Sequence, residues 1–260
     1  IKGNWNSQFS NGELMKLSDD GFWWYEKTLS NGNYQYQFNI EGEKYIADPW
    51  SKDVVWKDII GISESADFKR AKTNFNIGES DYDWGDEGFS RPSINELIIY
   101  ELHIGDFGAD ENSYGDFNDL ISKIESGYFN DLGINAIELM PVNEFEGEYS
   151  WGYNPSFYMA PESSYGTPDE LRELVDKAHQ NGIAVLMDVV YNHTWGSSPL
   201  FQMYQPNDNY EWQDHDFENC PYFDNESSLW GYKLEHWHNV SGRDYRGWKY
   251  VVNSLETWVN

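Results

Sequence analysis

From residue 94 onward, the sequence alternates between short apolar runs and longer amphipathic segments, and this alternation is the strongest constraint on the fold. Three apolar runs have the length and composition of buried strands, namely 97–102, 136–140 and 183–190. Segments with helical spacing separate or follow them, namely 116–132, 167–181 and the stretch from Trp248 to the end. Alternation of this kind predicts a parallel sheet with right-handed crossovers, either a doubly wound sheet or a TIM barrel.

The loops between these segments favour the barrel. No Gly-rich phosphate loop follows any of the three strands, which disfavours nucleotide binding. Long, aromatic-rich loops follow the second and third strands, as is typical of the carboxyl face of an eightfold barrel enzyme. A complete barrel needs about 250 residues, and fewer remain after residue 93 of the 260. We therefore expect an α/β fold in the form of an incomplete TIM (β/α)8 barrel with about three βα units.

The residues before the barrel have a different pattern. Residues 33–40 alternate polar and apolar side chains, which suits a half-buried strand, and 30–32 (Ser-Asn-Gly) is a hairpin-type turn. The sequence therefore predicts part of an all-β sandwich over 1–50, truncated at its N-terminus. Residues 51–93 have no clear period, so we predict an irregular connector there, followed by the barrel segment over 94–260.

The net charge of −28 at pH 7 argues against nucleic acid and anionic membrane surfaces as partners, because phosphate binding needs clustered Lys and Arg. No run approaches the roughly 20 apolar residues that span a bilayer. The acids are scattered among aromatic residues, which make up 18% of the chain. A solubilising surface explains the acids most simply, yet acids and flat rings together also suit a neutral, hydroxyl-rich ligand.

The single cysteine, Cys220, excludes an intrachain disulfide. The sequence begins at Ile1 without a Met or a signal-like segment, as expected of a processed protein or an excised piece. We expect a secreted or periplasmic protein of bacterial type, with a cytoplasmic location as the alternative.

The run 184–194 carries the clearest chemistry. An apolar strand ends at Asp188, and Asn192 and His193 follow in the adjoining loop. This order places an acid, an amide and an imidazole at the carboxyl end of a buried strand, where barrel enzymes hold their active sites. Each residue also has a structural explanation: His193 as a hydrogen-bonded loop residue, and Asp188 as a helix cap or ion-pair partner. Glu138 and His103, on the other two strands, are expected in the barrel interior and not as catalysts.

Four motifs in this order resemble the α-amylase family, glycoside hydrolase family 13. They are 133–141 (Gly-Ile-Asn-Ala-Ile-Glu-Leu-Met-Pro), 151–155 (Trp-Gly-Tyr-Asn-Pro), 165–168 (Tyr-Gly-Thr-Pro) and 188–193 (Asp-Val-Val-Tyr-Asn-His). The strand at 99–103 is similar to the first barrel strand of debranching and branching members. Residues 20–49 resemble the early-set, immunoglobulin-like sandwich, similar to a starch- or glycogen-binding module, that precedes the barrel in pullulanases, isoamylases and branching enzymes.

The resemblance implies a role for each residue of the proposed site. His193 would hydrogen-bond a hydroxyl of the sugar in subsite −1, and Tyr153 would stack beneath the ring of that sugar. Asp188 would bind a sugar hydroxyl or form the floor of the site. Trp151, beside Tyr153, would contribute to substrate binding, although both aromatic residues could be simple packing residues. Asn192 matches a position that ligates a structural calcium in many members, but debranching-type members often lack this ion. No other cofactor is implied.

The acids that break the glycosidic bond are expected beyond residue 260. Retaining hydrolysis needs two carboxyl groups about 5 to 5.5 Å apart, and the resemblance places the nucleophile in a Gly-Phe-Arg-x-Asp pattern that this sequence lacks. We therefore predict that the parent protein is a retaining glycoside hydrolase acting on starch, glycogen, pullulan or maltooligosaccharides. Its partners would be the α-glucan and the remainder of its own catalytic domain, and the 260-residue chain alone would be inactive. The alternatives are a 1,4-α-glucan branching transglycosylase and a non-catalytic starch-binding fragment.

Overall fold

The computed structural model describes residues 1–5, 12–41, 44–56, 71–110, 113–147, 149–205, 220–228, 231–234 and 246–259. Its N-terminal part contains a five-stranded antiparallel sheet with the strand order β1-β4-β7-β6, in which β5 also pairs with β4. These strands are β1 (Lys2–Gly3), β4 (Gly32–Ile40), β5 (Lys44–Ile46), β6 (Val54–Val55) and β7 (Lys72–Ile77). A separate hairpin joins β2 (Lys16–Leu17) to β3 (Trp23–Trp24).

The prediction of an irregular connector over 51–93 is wrong for its strands β6 and β7. Strand β7 pairs with β4 over five residue pairs and lies inside the sheet. Its sequence, Lys-Thr-Asn-Phe-Asn-Ile, is too polar to be recognised as an internal strand. Tertiary contacts compensate for this, because Phe75 packs against Tyr34 and Tyr36, and the Thr73 hydroxyl accepts a hydrogen bond from the Asp48 amide at 2.8 Å.

The three apolar runs form a three-stranded parallel sheet in the order β10-β9-β8, which confirms the predicted parallel pairing. Its strands are β8 (Ile99–Leu102), β9 (Ala136–Leu139) and β10 (Ala184–Met187). Leu102, Leu139 and Met187 are paired across the sheet, so the three strands end at the same level. The residues that follow the three strands are therefore brought together at one edge.

The described residues include six helices, and two of them begin at capping signals that are visible in the sequence. They are α1 (Ile104–Phe107), α2 (Phe117–Glu125), α3 (Tyr128–Leu132), α4 (Pro168–Gln180), α5 (Pro199–Met203) and α6 (Arg246–Val259), with a 3-10 turn at Ile94–Glu96. Capping boxes begin α2 at Asp116 and α4 at Thr167. The single helix predicted over 116–132 is wrong, because Gly127 at φ 78° ends one helical segment and begins another.

A small antiparallel sheet lies beyond the parallel one, in the order β11-β13-β12. Its strands are β11 (His193–Thr194), β12 (Phe223–Ser228) and β13 (Gly231–Leu234). A second apolar cluster includes Tyr158, Phe201, Phe223 and Tyr250. This sheet fixes the backbone of His193, because residues 193 and 194 pair with 233 and 232.

The main core lies between the parallel sheet and helices α2, α3 and α4, where Phe117, Ile124, Phe129, Leu139 and Leu174 are fully buried. The N-terminal sheet packs separately on the loop that follows β9. There, Val54 and Trp56 are buried against Phe157 and Ala160. Among the described helices, none combines the length and apolar character that crossing a membrane would require.

Candidate active site

The candidate site lies at the carboxyl edge of the parallel sheet, where His103, Met140 and Asp188 follow β8, β9 and β10. Two backbone hydrogen bonds hold this edge in register. The Met140 amide donates to the Leu102 carbonyl at 3.0 Å, and the Asp188 amide donates to the Leu139 carbonyl at 3.0 Å. Asp188 is therefore held at the end of its strand with its backbone fixed to the neighbouring strand.

Tyr153 and Asp188 meet at this edge. The Tyr153 hydroxyl donates a hydrogen bond to Asp188 Oδ2 at 2.7 Å, although the two residues are 35 positions apart. This bond, together with partial burial, raises the pKa of Tyr153 to about 12. Tyr153 is therefore a neutral hydrogen-bond donor at physiological pH. Its side chain remains 39% exposed, which leaves the ring accessible to a ligand.

His193 is buried and has a protein partner at each ring nitrogen. Nε2 lies 2.7 Å from the Tyr153 carbonyl oxygen, and Nδ1 lies 3.1 Å from the side-chain nitrogen of Asn192. A neutral imidazole protonated at Nε2 satisfies both contacts, because Nε2 then donates to the carbonyl and Nδ1 accepts from the amide. His193 therefore fixes the backbone of Tyr153. A hydrogen bond to a sugar would require the Nε2 proton to be shared with that carbonyl.

Trp151 is strongly exposed, with 62% of its surface accessible. The nearby Tyr149 hydroxyl donates a hydrogen bond to Asp106 Oδ1 in α1 at 2.9 Å, whereas the Tyr153 hydroxyl donates to Asp188. The structure brings Tyr153, Asp188, Asn192 and His193 together and places Trp151 beside them on the same loop.

His103, which follows β8, contacts the loop that carries Trp151 and Tyr153 through the backbone of Ser150. Its Nε2 lies 2.7 Å from the Ser150 carbonyl oxygen and 2.8 Å from the Tyr165 hydroxyl, and its Nδ1 accepts from the Asp106 amide at 3.1 Å. The side chain is buried, as expected of a residue in the barrel interior. Glu138 pairs with Glu101 on the adjacent strand, and the negative charges of both raise the pKa of Tyr153 further.

Two buried acids near the site were not predicted from the sequence. Glu144 and Glu162 are 0% and 1% exposed and lie at the two ends of the loop that carries Tyr153. Burial is the main cause that raises the pKa of both carboxyls, and the charge of Glu162 adds to the effect on Glu144. The pKa of Glu162 is raised to about 7. Their separation in sequence gives no local signal that they meet.

The structural calcium at Asn192 stays a prediction. Ca²⁺ takes about six to eight oxygen ligands, so the side-chain oxygen of Asn192 would be the ligand atom, whereas its amide nitrogen lies 3.1 Å from His193 Nδ1. Within the described residues, no group of three or more His, Cys, Asp or Glu could hold a metal ion. The Asp-His-Asp sequence at 214–216, which we interpret as a solvated loop, lies outside the described residues.

The chain matches the family model for the α-amylase catalytic domain over residues 83–251. It is 31% identical over 249 residues to a malto-oligosyltrehalose trehalohydrolase from Saccharolobus solfataricus, which covers 95% of this chain and 37% of that protein. It is 36% identical over 125 residues to a 1,4-alpha-glucan branching enzyme from Picrophilus torridus, covering 48% of this chain and 17% of that one.

Among solved structures, a pullulanase from Bacillus acidopullulyticus superposes with a TM-score of 0.64 at 25% identity, covering 95% of this chain and 32% of the pullulanase. The chain thus spans about a third of the length of the relatives that match nearly all of it, such as the trehalohydrolase at 37%. On the family match and the identity to the trehalohydrolase, this chain belongs to the α-amylase family of glycoside hydrolases.

Proposed function

We propose that this chain forms the sugar-holding part of a retaining glycoside hydrolase that acts on α-glucans. The observation that carries the proposal is the Tyr153–Asp188 pair at the carboxyl edge of the parallel sheet. A half-exposed aromatic ring with a fixed hydroxyl offers an apolar face for a pyranose ring, and the neighbouring carboxylate can accept sugar hydroxyls. His193 supports this arrangement by holding the Tyr153 backbone.

The bond-breaking acids are not assigned to any residue described above. A retaining reaction needs a nucleophilic carboxylate and an acid on either side of the glycosidic bond. We propose that another part of the enzyme's polypeptide supplies them, and that the 260 residues alone bind sugar without turning it over. Positioning of the sugar in subsite −1 is then what these residues contribute to the rate.

The substrate would be an α-1,4 or α-1,6 glucan. The trehalohydrolase relative matches nearly the whole chain, so malto-oligosyltrehalose is a second candidate substrate. The branching-enzyme relative favours transglycosylation as a second candidate reaction. Incubating the complete enzyme with maltotetraose, pullulan, amylose and malto-oligosyltrehalose separates these alternatives, because hydrolysis releases reducing ends or trehalose whereas branching creates new α-1,6 links.

Tyr153→Ala and Tyr153→Phe in the complete enzyme test the role of the ring. We expect Tyr153→Ala to lower kcat/KM by about 100-fold, because the stacking surface is lost, and Tyr153→Phe to lower it by about tenfold or less. Trp84→Ala, which removes another half-exposed ring distant in sequence, is the matched control. Equal activity of Tyr153→Ala and the control would contradict the proposal.

A non-catalytic starch-binding role is the competing class of function. The hairpin β2–β3 carries exposed aromatic residues, with Trp23 at 64% and Trp24 at 43% exposure. Titration of the 260-residue chain with maltotetraose, followed by Trp fluorescence, distinguishes the two sites. Loss of binding in Tyr153→Ala supports the barrel site, whereas loss in the double variant Trp23→Ala/Trp24→Ala supports a binding module.

A further inference from the structure

The two ends of the loop over 145–161 are crossed by hydrogen bonds to buried acids. At the first end, the Phe145 amide donates to Glu162 Oε2 at 3.0 Å. At the second end, the Ser163 amide donates to Glu144 Oε2 at 2.7 Å. Each carboxyl therefore holds the backbone next to the other carboxyl. The segment that carries Trp151 and Tyr153 begins next to Glu144 and ends next to Glu162.

The carboxyl oxygens of both residues are already occupied by donors of the protein. Glu144 Oε1 accepts from the Trp56 indole and from the Ser163 hydroxyl, the latter at 3.2 Å, and Glu162 Oε1 accepts from the Ser164 amide at 2.9 Å. Oε2 of each residue accepts a hydrogen bond from a backbone amide, as described above. All four carboxyl oxygens therefore accept hydrogen bonds from the protein, which is the pattern of a hydrogen-bond network and not of a metal site.

The two carboxyls lie close together at the base of the loop, because each accepts a hydrogen bond from the backbone amide that adjoins the other. Burial and the charge of Glu162 raise the pKa of Glu144, and burial raises that of Glu162, because two adjacent carboxylates in a dry site repel each other strongly. Tyr165, which is exposed to the charge of Glu162, is a further titratable neighbour and remains neutral.

We propose that Glu144 and Glu162 act as positioning residues, a clamp of two buried carboxyls whose crossed hydrogen bonds close the two ends of the 145–161 loop and so hold Tyr153 at the sugar site. When both carboxyls ionise, their repulsion separates the loop ends, and the loop loses its fixed geometry. The clamp itself depends only on contacts within the protein, whereas its effect on sugar binding rests on the proposed function.

Amide hydrogen exchange tests the clamp without any sugar. In the unmodified chain, we expect the protection factors of the Phe145, Ser163 and Ser164 amides, corrected for intrinsic rates, to fall at least tenfold between pH 6 and pH 9. Glu144→Gln removes one of the two titrating carboxyls and with it their repulsion at high pH, so its protection should remain flat across this range. The control Glu146→Gln makes the same change two positions away and should retain the fall.

A flat profile in the unmodified chain, or the same fall in Glu144→Gln, would overturn the clamp. Maltotetraose titration of the same three proteins tests its consequence. We expect the affinity of the unmodified chain to fall about tenfold over the same pH range and that of Glu144→Gln to stay constant. If exchange changes with pH but no sugar binds at any pH, the proposed function fails and the clamp stands. If sugar binds with a pH-independent affinity, the link from the clamp to Tyr153 is wrong.

Discussion

The hairpin β2–β3 and the loop over 145–161 both present aromatic rings to solvent, and these rings are held in very different ways. In the hairpin β2–β3, the turn is closed by local bonds between Ser18 and Phe22, and the Trp24 ring is covered on one side by the Lys16 ammonium group at 4.8 Å. In the loop over 145–161, bonds to residues far away in sequence fix the backbone and the Tyr153 hydroxyl.

The difference shows that exposure of an aromatic ring is a poor guide to a site. Trp23 and Trp24 are more exposed than Tyr153, yet Tyr153 alone among them is bonded to an acid at the carboxyl edge of a parallel sheet. A preorganised ring binds a sugar without the entropic cost of ordering a mobile side chain. Four predictions test how much this anchoring contributes, in order of decreasing effect.

The largest effect is expected from a methyl group at Gly152. This residue has φ +85°, and an added Cβ would lie 2.3 Å from the Pro141 carbonyl oxygen. Gly152→Ala should therefore lower the free energy of unfolding by about 3 kcal/mol. The control is Gly21→Ala in the hairpin, with a similar φ of +89° but no atom within 4 Å, where about 1 kcal/mol is expected. Chemical denaturation measures both, and equal losses would show that the loop is not tightly packed.

The second prediction concerns pH. Glu144 and Glu162 have folded-state pKa values above 4.5, and that of Glu162 is about 7. Their stabilising contribution is therefore complete below the unfolded-state pKa and is lost as the pH rises through 7. We expect the free energy of unfolding to fall by about 2 kcal/mol between pH 5 and pH 8. The double variant Glu144→Gln/Glu162→Gln should lose this slope, and retention of the slope would contradict the assignment.

The third prediction removes the charge that holds Tyr153. Asp188→Asn replaces a charge-assisted hydrogen bond by a neutral one, which costs about 1 to 1.5 kcal/mol, or about tenfold in maltotetraose affinity. Isothermal titration calorimetry measures the change. Asp106→Asn, which alters the partner of Tyr149 in the same loop, should change the affinity by less than about twofold. A similar loss in both variants would mean that the loop responds as a whole and not through Tyr153.

The smallest effect is expected in the hairpin. Trp24→Ala should change the free energy of unfolding by less than about 1 kcal/mol, because the ring is exposed and its cation–π contact lies at the surface. Maltotetraose affinity should be unchanged. A measurable loss of affinity would place sugar binding in the hairpin β2–β3 and not in the loop over 145–161.

Those parts of the fold that depend on short-range signals could be predicted from the sequence. The parallel strands follow from their apolar runs, and α4 begins at the predicted Thr-Pro cap. Strand β7 could not be predicted, because its pairing with β4 compensates for a polar sequence. The break at Gly127 could not be predicted either, because its positive φ divides a segment whose apolar spacing suggests one continuous helix.

The same reasoning applies to the site. Asp188, Asn192 and His193 are adjacent in a recognisable run, and their clustering with Tyr153 agrees with the sequence pattern. The bonding of His193 to a backbone carbonyl could not be anticipated, because it depends on how the preceding loop folds back. The pairing of Glu144 with Glu162 was also unpredictable, since charged residues in loops are usually solvated.

The hydrogen bond from the Trp56 indole to Glu144 has a consequence for how this protein can be recombined with others. Trp56 belongs to the N-terminal sheet region, while its acceptor is a buried acid at the base of the sugar-binding loop. A chimera that exchanges the first 56 residues for a foreign module would leave that acid without its indole donor. A replacement module would therefore have to supply a donor at the position of Trp56, or residue 144 would have to be exchanged with it.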